Sequence, residues 1–111
     1  MDTLNKYREI VERVLDSYAK IPHAHADIKC EAIFDRERDR YALLTVGWDD
    51  RKRVHHPLIH IDIIGGKVWL QTDNTDRGIA SELVQAGVPK SDIVLAFRLP
   101  EIRKYTEYAV A

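Results

Sequence analysis

The stretch from Arg53 to Asp73, RVHHPLIHIDIIGGKVWLQTD, constrains this chain more than any other. Two apolar-rich runs meet at Gly65-Gly66, and a glycine pair takes positive φ at both central positions of a two-residue hairpin turn without steric cost. Counting outward from that turn sets Ile63 opposite Val68, Asp62 opposite Trp69, Ile61 opposite Leu70 and His60 opposite Gln71. Side chains alternate across a strand, so Ile59, Ile61, Ile63, Val68 and Leu70 share one face. His60, Asp62, Lys67, Trp69, Gln71 and Asp73 share the other. The first is a core face. The second is wet or meets another molecule.

The flanking segments give that ribbon neighbours. Ile28 to Asp35 and Arg40 to Asp49 read as two strands around the turn Arg36-Glu37-Arg38-Asp39, and Asp49-Asp50-Arg51-Lys52 is the turn into the hairpin. Four strands joined by short turns make an antiparallel meander. Ahead of them, Thr3 to about Lys20 reads as a helix. Leu4, Tyr7, Val11, Val14 and Tyr18 recur at spacings of three and four, Ile10 and Leu15 widen the stripe, and Asp2 or Thr3 caps the start. Arg8 with Glu12 and Glu9 with Arg13 are placed to pair four apart on its solvent side, and Pro22 ends it. The stripe suits cover for one sheet face better than docking to a partner. After the meander, Asn74-Thr75-Asp76 opens a second helix with Ile79, Ala80, Leu83 and Val84 on its apolar face, capped by Thr75 or Asn74 and stopped by Gly87 and Pro89. Ile93 to Phe97 is too short for periodicity to choose between helix and strand. Pro100 suits the first position of a last helical turn, with Ile102 and Tyr105 on its inner side. The apolar end Tyr108-Ala109-Val110-Ala111 reads as docked on the body or on a neighbouring chain. The fold expected is α+β: an N-terminal amphipathic helix packed on a four-stranded antiparallel meander, then a second helix and short C-terminal segments. All 111 residues form a single domain.

Charge and cysteine usage narrow the function. Seventeen basic and 18 acidic residues leave a formal net charge of -1, without the basic excess by which proteins neutralise phosphates. The cations gather in two turns, Arg36, Arg38 and Arg40 in one and Arg51, Lys52 and Arg53 in the other. Successive turns of a meander lie at opposite ends of the sheet, and each cluster holds acids of its own. Direct duplex binding is therefore disfavoured. Cys30 is the only cysteine, so it reads as a small buried apolar residue in a reducing cytoplasm. No apolar run approaches membrane-spanning length.

Four residues stand out chemically. His60 and Asp62 lie two apart on one strand face, with Gln71 and Trp69 opposite. A histidine and a carboxylate can share acid–base work in a pocket. Adjacent same-face positions lie about 6.5–7 Å apart, however, and no phosphate loop, nucleophile elbow or paired metal motif accompanies them. A contact role explains an outward tryptophan better, because Trp is enriched at interfaces. Packing of Trp69 under the later helix or the C-terminal segment is the competing reading. His23-Ala-His25 with Cys30 has the look of metal-ligand spacing, but the set falls short of a zinc site. Trp48 reads as a core edge, and His55-His56 as solvated.

Gly47-Trp48-Asp49, His60-Ile61-Asp62, Lys67-Val68-Trp69 with Gln71 and Asp73, Gly78-Ile79-Ala80, Gly87-Val88-Pro89-Lys90 and the run Tyr105 to Ala111 together resemble the XisI family, cyanobacterial controlling factors for excision of the fdxN element. The helix from Tyr7 to Leu15 is similar too. The resemblance implies an α+β domain with an accessory, non-enzymatic role in site-specific DNA rearrangement. It further implies a XisH-like, nuclease-related protein as partner. It carries no catalytic residues and no cofactor or metal. The contact residues expected on this reading are His60, Asp62, Trp69 and Gln71. Self-association is a second expectation. A small enzyme using the His60/Asp62 face and a DNA-binding module are the rivals.

Overall fold

The computed structural model describes residues 2–21 and 27–111. The helix stop at Pro22 and the His23/His25 pair lie outside the described residues. Helix α1 spans Thr3–Ala19, and the Asp2 carboxylate caps it by accepting from the Asn5 N–H at 2.7 Å. Tyr7, Ile10, Val11, Val14 and Leu15 are buried, which is the expected stripe. Its charges behave differently from the expected pairs along the helix. Arg8 makes a two-pronged contact with Asp39, and Arg36 makes another with Glu12. Fork-to-fork arginine–carboxylate geometry outcompetes a pair held by two flexible side chains on one helix. These contacts tie α1 to the turn between the first two strands.

The sheet has strands β1 (Ile28–Asp35), β2 (Arg40–Asp49), β3 (Lys52–Ile64), β4 (Lys67–Asp73) and β5 (Ile93–Leu95), in spatial order β1-β2-β3-β4-β5. The first four form the expected antiparallel meander. The undecided apolar run resolves as β5, which adds in parallel beside β4. A parallel neighbour needs a crossover, and helix α2 (Ile79–Ala86) supplies it. Gly65 and Gly66 take φ of 59° and 80° and turn the chain as expected.

From that turn the counted register holds through Ile63↔Val68, Asp62↔Trp69 and Ile61↔Leu70, then slips. His60 pairs with Thr72, not Gln71, because Gln71 is the extra residue of a β-bulge. A one-residue slip exchanges the two faces for every later residue of the strand. Asp73, expected on the wet face, stands opposite the buried Ile59 and turns to the helix side. There its carboxylate accepts from the Ile79 N–H at 2.7 Å and from the Thr75 hydroxyl at 2.6 Å, while Thr75 Oγ1 accepts from the Gly78 N–H at 3.2 Å. The second helix therefore begins at Ile79, later than expected, and Asp73 provides the acceptor that Asn74 or Thr75 was expected to give.

The core lies between the helices and the face carrying Tyr41, Leu43, Ile59, Ile61, Ile63, Val68 and Leu70. Cys30 on β1 is half-buried against its edge, short of the full burial expected. Trp48 is not a core edge. It is 49% exposed on the opposite face, with the Arg53 guanidinium 5.2 Å above its ring. Pro100 starts the short helix α3 (Pro100–Arg103) as expected. Ile102 and Tyr105 point outward, however, at 44% and 76% exposure. The end of the chain docks on the body: the Ala109 N–H donates to the Ile93 carbonyl at 2.8 Å, and Val94 bridges to Ala109 along the outer edge of β5.

Candidate interaction site

The sheet face turned away from the helices holds a cluster built on Asp62. Strand β3 supplies His60 and Asp62, β2 places Arg40 directly opposite Asp62, and β4 places Trp69 opposite it on the other side. The bulge in β4 brings Gln71 within reach as well. His60 Nε2 lies 2.9 Å from Asp62 Oδ1, the Gln71 amide donates to Oδ2 at 3.3 Å, and Arg40 Nε stands 3.6 Å from Oδ1. Asp62 is only 7% exposed. A buried carboxylate is costly unless it is partnered, and here groups from three strands partner it. Facing a carboxylate, His60 Nε2 acts as donor. Asp62 thus orients its neighbours, while His60, Gln71 and Trp69 remain half-buried and reach the surface.

Trp69 is half-buried, and a cation covers its ring. The Arg103 guanidinium lies 5.6 Å from its ring centroid and is itself anchored by donating to the carbonyls of Ala96, Arg98 and Val110. Cation–π stacking of this kind contributes about 0.5–1 kcal/mol when exposed and more when desolvated. Cover by Arg103 is the packing against the C-terminal segment that was one reading of Trp69, and the ring stays half-buried.

The structure therefore brings His60, Asp62, Trp69 and Gln71 together and adds two residues that sequence reasoning did not assign to the cluster. Arg40 was assigned to the turn cations; extending the register count from β3 to β2 would have placed it opposite Asp62. Arg103 approaches from a distant segment and leaves no local signal. The other arginines of the first turn are also engaged, Arg36 by Glu12 and Arg38 by Asp35. In the second turn Arg53 donates to the Gly47 carbonyl beside Trp48. Among the described residues no group of three or more His, Cys, Asp or Glu side chains is placed to hold a metal ion. No helix among them is long and apolar enough to cross a membrane.

The family model for XisI protein matches residues 1–110. The chain belongs to the XisI family. Two solved structures agree. A XisI-like protein from Anabaena variabilis is 44% identical, with a TM-score of 0.91 over 97% of this chain and 99% of that one. The fdxN element excision controlling factor XisI from Anabaena variabilis is 36% identical, with a TM-score of 0.84 over 99% of this chain and 100% of that one. No curated protein matches.

Proposed function

We propose that this XisI-family protein controls a DNA rearrangement of the fdxN-excision type by contacting a XisH-like protein in the cytoplasm, through the sheet face built on Asp62. The cluster carries the reading. Three surface-reaching side chains of different chemistry lie side by side: an imidazole and an amide bonded to one buried carboxylate, and an indole beneath an anchored guanidinium, and such preorganisation lowers the ordering cost of binding. His60, Trp69 and Gln71 meet the partner; Asp62 keeps His60 and Gln71 in position, and Arg103 backs Trp69. The near-neutral charge suits a protein partner better than DNA. Self-association is a second use of the same face.

Co-expression with a XisH-like protein tests this. The two are expected to copurify, and Trp69→Ala or the pair His60→Ala/Gln71→Ala should weaken the complex at least tenfold while the thermal melt stays cooperative. Undiminished copurification of both variants overturns the assignment of the face. Salt-sensitive duplex binding that falls in Arg51→Ala/Arg53→Ala would instead give the role to the second basic turn.

A further inference from the structure

The C-terminal excursion between β5 and Ala109 holds a second surface, joined to the Asp62 cluster only through Arg103, whose guanidinium lies over Trp69. Leu99, Ile102 and Tyr105 follow one another at spacings of three along α3 and its trailing turn, so they fall on one side of it. They are 63%, 44% and 76% exposed, and Phe97 beside them is nearly half exposed. Elsewhere the exposed large apolar residues are scattered: Leu4 and Ile21 at the ends of the helical segment, Ile33 on β1, Trp48 on β2, Ile64 at the hairpin and Val110 near the end of the sequence. Single apolar residues at a surface are ordinary, whereas a contiguous group marks an interaction site.

This group stands on a hydrogen-bonded backbone. The N–H groups of Ile102 and Arg103 both donate to the Leu99 carbonyl, the Tyr105 N–H donates to Ile102, and the Arg98 N–H donates to Leu95. The Arg103 side chain closes the excursion from within by donating to the Ala96 and Arg98 carbonyls and to that of Val110 just past it. A partner would meet these side chains on a backbone already ordered.

Charge indicates the occupant. Residues 97–105 read FRLPEIRKY, with three cations and one acid in a chain of net charge -1. Among the described residues, neither Arg98 nor Lys104 pairs with a carboxylate. Each instead lies over an aromatic ring of this same segment, Phe97 or Tyr105, at 5.2 Å. A second copy docking patch to patch would set cations against cations, which opposes self-association here. Exposed leucine and isoleucine flanking an acid do not suit a phosphate backbone. We infer that Leu99, Ile102 and Tyr105, rimmed by Arg98 and Lys104, form a docking ridge for a protein segment bearing apolar and acidic side chains.

The test uses the whole chain and three synthetic probes: an amphipathic Leu/Glu peptide, its Leu/Lys counterpart, and a 20-nucleotide single strand. In 15N-resolved NMR titrations the Leu/Glu peptide should move the amide signals of residues 97–105 and leave those of His60 and Gln71 in place. Its affinity should exceed that of the Leu/Lys peptide at least tenfold, and should fall at least tenfold in Leu99→Ser/Tyr105→Ser and in Arg98→Glu/Lys104→Glu. These side chains are exposed, so both variants should keep the wild-type melting profile. Four results overturn the proposal: equal binding of the two peptides, shifts centred elsewhere, preference for the oligonucleotide, or concentration-dependent self-association lost in the serine variant. None of these outcomes bears on copurification through the Asp62 face, so the two surfaces stand or fall separately.

Discussion

Two kinds of residue carry this fold beyond its oily core: buried groups that must be partnered and glycines that must be glycine. Asp62 is the first kind. Asp62→Ala removes the acceptor shared by His60 and Gln71 and the charge facing Arg40. Those partners are partly solvated, so the loss should fall at the lower end of the range for broken polar networks, about 1–2 kcal/mol in urea unfolding. Gly47 is the second kind. A Cβ there would sit 1.9 Å from the Asp27 carbonyl oxygen and 2.7 Å from the Ile28 Cα, both main-chain atoms where the chain enters the paired strand. Backbone cannot step aside as a flexible side chain can. Gly47→Ala should therefore cost roughly 3 kcal/mol or more, or abolish folding. Gly66→Ala is the contrast. Nothing lies within 4 Å of the added carbon, so only the φ of 80° is penalised, at about 1–2 kcal/mol. Parallel denaturant titrations of the two variants check the ordering, and near-equal midpoints would refute it.

At the scale of elements, what could be read from the sequence was what periodicity and turn chemistry encode locally. The meander strands, the Gly65-Gly66 turn and the α1 stripe all follow from alternation, helical spacing and glycine, and no distant residue is needed to set them. The departures each have a non-local cause. The bulge at Gln71 depends on how β4 meets both β3 and the start of α2, and strict alternation carries no trace of it. Strand β5 is strand because β4 offers it a free edge, which three residues of sequence cannot announce. Ile102 and Tyr105 face outward although their spacing suits either side of a turn. The site followed the same rule: His60, Asp62 and Trp69 were placed by counting, whereas Arg103 arrives from across the fold. The bulge makes a specific demand on Asp73, which it turns toward α2. Asp73→Ala would leave the Ile79 N–H without its capping acceptor and free Thr75. The expected cost is about 1–2 kcal/mol, the usual range for an N-terminal cap. Asp73→Asn, which keeps an acceptor oxygen, should recover about half of it. Thermal melts followed at 222 nm decide this, and a melt of Asp73→Ala equal to the parent's would show that the cap contributes nothing.

On the scale of the whole molecule, α1 is held to the sheet by polar contacts at its flanks as well as by its stripe. Arg8 and Glu12 reach the β1–β2 turn, and the Tyr7 hydroxyl donates to Asp92 at the entry to β5, so one helix is tied to both edges of the sheet. That geometry makes the protein sensitive to alkali. Burial first, and then the hydrogen bond to the Asp92 carboxylate, push the Tyr7 phenol up to about 12 from its ordinary 10.0. Tyr41 moves the same way, chiefly by burial and then through Asp39. The folded state keeps the Tyr7 proton across a range in which the unfolded chain has lost it. The contribution is therefore complete below pH 10 and is lost as pH rises toward 12, because the unfolded state binds fewer protons there. Tyr7→Phe removes one of these protons from the balance. The variant should be less stable than the parent at pH 8, since Asp92 loses its donor, yet its urea midpoint should fall less steeply between pH 10 and pH 11.5. Lysine titration contributes equally to both proteins and cancels in the difference. Parallel curves for the two would mean that the phenol is as free to ionise in the folded protein as in the unfolded chain, and that the contact between α1 and Asp92 does not hold the helix in solution.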